Sequence, residues 1–162
     1  MNHNTLEAKK AIVNEVVEAA KAHNSMVVVE YRGLTVAEMT ALRRELREND
    51  ARMVIYKNSM VQRAVSELNK PELSEYLTGP NAFVFSKDTI AGPRVISKFA
   101  RRNEHIVIKG GLLDGRVLDA EGVRAIGKLP GRDGLISMFL SVLEAPIRQF
   151  AATVKAVAEA KQ

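Results

Sequence analysis

The sequence predicts an α/β (α+β) fold: a mixed sheet of about four to five strands flanked by helices, with a further helix protruding at the C-terminus. Three observations carry this. Short β-branched or aromatic runs at residues 26–29, 53–55, 82–85 and 105–108 are bounded by turn or cap residues, as buried strands are. Between them, apolar residues recur at three- and four-residue steps, the mark of amphipathic helices. After Leu129-Pro130-Gly131-Arg132-Asp133-Gly134 the chain becomes apolar nearly all the way round, from Leu135 to Leu143.

The opening helix covers about residues 5–22, with Leu6, Val13, Val16, Val17 and Ala20 inward and Lys9, Lys10 and Lys21 exposed. The first strand ends at Glu30-Tyr31-Arg32-Gly33-Leu34. Thr35-Val36-Ala37-Glu38 then forms a capping box, in which the hydroxyl caps the helix and the Glu reaches back. Val36, Met39, Leu42 and Leu46 make one apolar stripe. Strand, helix, strand in this order suggests a βαβ unit with parallel strands. Parallel strands end at one edge, so Arg32 and Lys57, which follow the two strands, should meet at a rim of the kind where open α/β sheets bind ligands.

Asn58 is the expected N-cap of the next helix, which buries Met60, Val61, Ala64, Val65 and Leu68. Asn69-Lys70-Pro71-Glu72 stops it, Leu73 and Leu77 mark a further turn or two, and Thr78-Gly79-Pro80 is a turn into the third strand. A helix starting at Asp88 or Thr89 places Ile90, Val95, Ile96 and Phe99 inward, tolerates Pro93 in its first turn, and exposes Arg94, Lys98, Arg101 and Arg102. Gly110-Gly111 interrupts the fourth strand as a bulge or tight strand end, and lacks the Lys-Ser or Lys-Thr of a P-loop. Asp114-Gly115 signals a hairpin. The helix after Asp119 points Val123, Ile126 and Leu129 inward. No internal repeat is evident. The division is residues 1–129, a linker at 130–134, and a C-terminal helical segment at 135–162, where Ala145-Pro146 restarts a helix.

Composition narrows the chemistry. The absence of Cys excludes thiolate metal sites, disulfides and a Cys nucleophile, and fits a reducing compartment. No apolar run approaches membrane-spanning length by inspection, and Glu7, Lys9, Lys10 and Glu15 argue against a secretory leader. His3, His23 and His105 are scattered without metal-ligand spacing, so neither catalysis, a metal nor a cofactor is expected. The net charge of +5 and pI of about 9.6 suit nucleic acid. The candidate contacts are Arg32, Arg43, Arg44, Arg47, Lys57, Asn58 and Arg63; solvated charge on ordinary amphipathic helices is the plain alternative. With few aromatics, of which only Tyr31 and Tyr56 fall near the rim, the expected mode is recognition of phosphate and shape in folded RNA. Ile147, Phe150, Ala151, Val154 and Val157 form one apolar stripe on the last helix. Such a helix either folds back on its own core or is covered by a partner.

These residues resemble a known family. Tyr31-Arg32-Gly33-Leu34-Thr35, Leu42-Arg43-Arg44-Glu45-Leu46-Arg47, Lys57-Asn58-Ser59-Met60 with Arg63-Ala64, Thr78-Gly79-Pro80-Asn81-Ala82, Lys109-Gly110-Gly111, Leu129-Pro130 and Ala145-Pro146-Ile147 follow in the order and spacing of bacterial large-subunit ribosomal protein ten. The family usually carries Thr-Leu where Ser59-Met60 stand. The resemblance spans nearly the whole chain and implies a non-enzymatic, cytoplasmic scaffold of the ribosomal stalk base. Its N-terminal domain would bind large-subunit (23S) ribosomal RNA beside ribosomal protein eleven. Its C-terminal helix would carry dimers of stalk protein seven/twelve, two for a tail this short, which recruit translational GTPases. The family also represses its own messenger in some bacteria. A generic RNA-binding regulator and a small α/β phosphate-ligand protein, with Lys57 and Gly110-Gly111 as its pocket, are the alternatives from the residues alone.

Overall fold

The structure, a computed structural model, describes the backbone of residues 3–160; the side chains of residues 3–6, 8, 132 and 157–160, among them His3, Leu6 and Val157, lie outside the described residues. The elements are α1 (His3–Ala22), β1 (Ser25–Glu30), α2 (Val36–Glu48), β2 (Ala51–Val54), α3 (Asn58–Glu67), a 3-10 helix (Pro71–Tyr76), β3 (Asn81–Ser86), α4 (Ala91–Ala100), β4 (Val107–Leu113), β5 (Arg116–Asp119), α5 (Ala120–Gly127) and α6 (Arg132–Ala160). They divide into two compact units, residues 1–128 and 129–162.

The first unit is the expected α+β fold, but its strands pair differently. The sheet order is β2-β3-β1-β4-β5 and every neighbouring pair is antiparallel. β1 and β2 do run the same way, yet β3 lies between them, so no parallel pair forms and the sheet is not mixed. Side-chain burial explains the insertion. All six residues of β3 are buried, which requires neighbours and cover on both faces, whereas β2 is four residues long with Arg52 exposed, as suits an edge. Because β1 and β2 share a direction, Arg32 and Lys57 still follow strand ends at one rim.

Both faces of the sheet are covered, which is why β1 and β3 read as continuous apolar runs. Val27, Val29 and Val84 pack with Leu42 and Leu46 of α2, Val95, Ile96 and Phe99 of α4, and Val123 of α5. Met26, Val28, Phe83 and Phe85 pack with Val13 and Val16 of α1, Met60, Val61, Ala64 and Val65 of α3, and Leu73 and Leu77.

Several local expectations hold. Thr35 Oγ1 accepts from the Glu38 amide and the Glu38 carboxylate accepts from the Thr35 amide at 2.8 Å, a complete capping box. Asp114 and Gly115 adopt φ of 47° and 76° between paired Leu113 and Arg116, the two positive angles of a type I′ hairpin. The helix expected after Asp119 is α5, and the structure adds that Asp119 caps it by accepting from the Gly122 amide at 2.8 Å.

Others need correction. Val36, at the first position of α2, is 85% exposed, so the stripe that packs on the core begins at Met39. Lys9 is half-buried, and Leu129 is exposed beyond the end of α5. Lys57, not Asn58, is the N-cap of α3, and no side chain caps it. Gly110 and Gly111 do not interrupt β4: a Cβ would lie 2.8 Å from Leu118 O at Gly110 and 2.7 Å from Met26 O at Gly111, so both permit close strand approach. The bulge falls just before them, where Val29 pairs with Ile108 and Val28 with Gly110, leaving Lys109 as the extra residue.

In the second unit, the expected linker is largely helical. α6 begins at Arg132, and the Leu135 amide donates to Gly131 O at 2.9 Å. Pro146 does not restart a helix; it sits inside one, and leaves the Val142 carbonyl without its N–H partner.

Candidate nucleic-acid interface and apolar helix

The rim where β1 ends is built on a polar base. Lys109, set out of register by the bulge, pairs with Glu30 at 2.6 Å and donates to Thr78 O. Asn58 Nδ2 donates to Gly79 O at 2.8 Å, and the buried Asn81 amide reaches Asn58 Oδ1 and Tyr76 O at 3.5 and 3.4 Å. Asn58 is therefore held inward, pinning the turn at residues 78–80. Gly33, at φ 94°, turns the chain after Tyr31 against His105; a Cβ there would lie 3.0 Å from His105 Nδ1. On this base Arg32 and Lys57 are exposed, and neither makes an ion pair among the described residues.

The remaining candidates do not all converge there. Arg43, Arg44 and Arg47 are exposed on α2, and Arg44 is tied to Glu48 at 3.3 Å, a surface pair of small energetic value. α2 starts at the rim and runs away from it, so Arg47 is roughly 16 Å along the helix from Val36. Arg63 stands on α3, which covers the opposite face of the sheet. The sequence predicted one shared edge; the structure gives a rim pair, a trio along one layer and a lone Arg63 on the other. Which face a crossover helix covers is decided by sheet order, which periodicity does not report.

Sheet order also sorts charge. The helices of one layer, α2, α4 and α5, carry six basic residues (Arg43, Arg44, Arg47, Arg94, Lys98, Arg124) against four acidic ones, and Arg101, Arg102 and Lys128, with Asp50 and Asp119, flank their ends. Those of the other layer, α1, α3 and the 3-10 helix, carry four basic and six acidic. The basic excess of the chain thus gathers on one layer, a field suited to a polyanion.

The two rim aromatics are engaged in packing. Tyr56 lies tilted 6.3 Å from Phe83 and donates to Glu15 at 2.9 Å. Burial, then that carboxylate, pushes its phenol up to about 12, so it stays neutral. Tyr31 is partly buried against the core. His23 Nδ1 is 2.7 Å from Ala19 O.

In the second unit, Ile147, Phe150 and Val154 are 72%, 73% and 53% exposed, and Ala151 is exposed. Because α6 is unbroken, their stripe continues backward. Ile136, Leu143, Phe150 and Val157 fall at sevens, and Leu140, Ile147 and Val154 fall between them at sevens, a heptad seam. Ile136, Leu140 and Leu143, each more than half exposed, belong to the seam and were missed as such, since Ala145-Pro146 reads as a helix break. Their four-three spacing was the available signal. The side chain of Val157 lies outside the described residues.

Residues 133–156 of α6 are also long and apolar enough to cross a membrane, contrary to the reading of the sequence. The unbroken helix makes the difference. At its middle, however, lies the ion pair of Arg148 with Glu144 at 2.6 Å, and charges at such a depth in lipid are costly.

Two family models match the chain. That of ribosomal protein L10 covers residues 4–101, and that of the ribosomal protein uL10 C-terminal region covers residues 129–162. Among similar proteins, large ribosomal subunit protein uL10 of Bacillus licheniformis is 46% identical over 97% of this chain and 95% of its own length. That of Staphylococcus aureus is 49% identical over the same shares. These relatives are structural proteins of the ribosome, not enzymes. With both of its units matched and nearly its whole length shared, the chain belongs to the ribosomal protein L10 (uL10) family of the large ribosomal subunit.

Proposed function

We propose that this protein works in the cytoplasm at the base of the ribosomal stalk, joining two partners through its two units. Residues 1–129 bind large-subunit (23S) ribosomal RNA beside ribosomal protein eleven. α6 anchors dimers of the acidic stalk protein seven/twelve, which bring translational GTPases to the ribosome. The observation that carries the reading is the exposed heptad seam of α6, since an isolated helix of this kind is marginal in water and needs partner helices. From Ile136 to Val157 the seam runs roughly 32 Å, about three helical turns for each of two dimers. Contacts fall on Ile147, Phe150, Ala151, Val154 and Val157, extended backward to Ile136, Leu140 and Leu143. For RNA, the exposed cations Arg32, Lys57, Arg43, Arg44 and Arg47 are the contacts, with Asn58 setting the rim turn and Arg63 peripheral.

Native mass spectrometry with the stalk protein tests the helix. The full chain should carry two dimers, a chain ending at Ile147 one, and a chain ending at Lys128 none. Dimers retained on the shortest chain would remove α6 as the platform. For the RNA surface, Arg44→Ala with Lys57→Ala should weaken binding to large-subunit ribosomal RNA and flatten its salt dependence by roughly 0.7–0.9 log units per lost phosphate contact. Unchanged affinity would refute that placement.

A further inference from the structure

Beside the rim, α4, α5 and β4 enclose an open groove of about 400 Å³, lined by Ser97, Ala100, Arg101, Glu104, residues 106–108, Arg124 and Lys128. Its make-up differs from that of the α2 trio. Arg124 and Lys128 stand one turn apart on α5 and face Arg101 at the end of α4. None of the three makes an ion pair among the described residues, while the next residue, Arg102, lies 4.0 Å from Glu45. Val107 is 45% exposed, so part of the lining is apolar and wet. Ser97 supports the wall from behind: its Oγ is buried against Gly127, where a Cβ would collide with it, and does not open into the groove. Glu104 is the only carboxylate in the lining.

Cations at helix C-termini are favoured by the helix dipole, and that alone would place Arg101 and Lys128. It does not account for their converging, unpaired among the described residues, on a groove with an exposed apolar residue. We propose that this groove takes a stretch of RNA sugar-phosphate backbone, with phosphates against Arg101, Arg124 and Lys128 and a ribose over Val107. The groove is lined by β4 from its rim end, next to β1, so the strand it holds continues past Arg32 toward Lys57. The α5 wall lies between the two segments matched by the family models, in residues that neither covers. The inference rests on the RNA-binding reading above and adds a contact surface to it.

The test titrates the full-length chain with a large-subunit ribosomal RNA transcript over a series of salt concentrations. Arg124→Gln with Lys128→Gln should weaken binding roughly tenfold and lower the salt slope by roughly 0.7–0.9 per lost phosphate contact. Glu104→Gln, which removes the carboxylate, should tighten it. That gain of affinity is a readout that a damaged fold does not mimic. Arg32→Gln with Lys57→Gln is the reference. If the reference weakens binding while the groove variants leave affinity and slope unchanged, the groove is not a contact and the RNA-binding reading stands. If neither set changes the affinity, that reading fails and the groove proposal with it.

Discussion

Phe83 and Phe150 are the same residue in two opposite situations. Phe83, in β3, is completely buried, walled by α1, α3 and the 3-10 helix. Phe150, in α6, is 73% exposed. Both lie in strongly apolar segments, and in both the pattern demands burial. An apolar pattern states that a surface needs cover; it does not say whether the same chain provides it. In the first unit the sheet has two faces and helices to cover each. In the second, one helix carries a heptad seam whose described residues are exposed.

The sharpest way to break this comparison is to truncate both rings. Phe83→Ala should destabilise the free chain by about 3–5 kcal/mol in urea unfolding. Phe150→Ala should stay within about 0.5 kcal/mol, as exposed substitutions do. An equal loss at the two positions would mean that α6 is covered by its own chain. A smaller effect is expected at Pro146. Proline in a helix interior costs about 3 kcal/mol relative to Ala. Pro146→Ala should therefore raise the hydrogen-exchange protection of the amides around it by roughly tenfold or more, with the sheet amides unmoved. Unaltered protection there would mean that something other than this helix's own hydrogen bonds already holds it.

The smallest effect concerns the start of α2, a capped helix in contrast to α6. Hydrogen bonds from the Thr35 backbone, then from its hydroxyl, hold the Glu38 carboxyl below the ordinary carboxylate range. A folded-state value below the unfolded one stabilises the protein above the unfolded pKa, and the stabilisation is lost as pH falls through the folded one. Thermal melts from about pH 5 down to pH 3 should thus show the wild type losing slightly more stability than Glu38→Gln. Parallel curves would mean that the box contributes nothing through its charge.

What could be read from the sequence was mostly local. The capping box at Thr35 and the Asp114-Gly115 hairpin are each written within four residues, because the groups that satisfy the backbone sit next to it in the chain. The Lys109 bulge was only half legible: the glycines announced a bulge or tight strand end, but which residue is left over depends on the register with β1. Asn58 was misjudged for the same reason. Its spacing fits a cap, while its partner, Gly79 O, is twenty-one residues away. In α6 the reverse happened: a local signal at Pro146 was trusted over a heptad pattern running straight through it.

By itself, then, the sequence determined most of the elements, the capped start of α2, the α+β class, the shared direction of β1 and β2, and the family. These follow from periodicity, side-chain caps and residue order, all short-range or pattern-wide properties. Tertiary structure alone decided that β3 enters between β1 and β2, that α2, α4 and α5 gather the basic residues on one layer while Arg63 goes to the other, and that Arg101, Arg124 and Lys128 share a groove. The physical reason is that sheet order is chosen by how whole buried faces are covered, a collective quantity to which each strand contributes and which no single segment encodes.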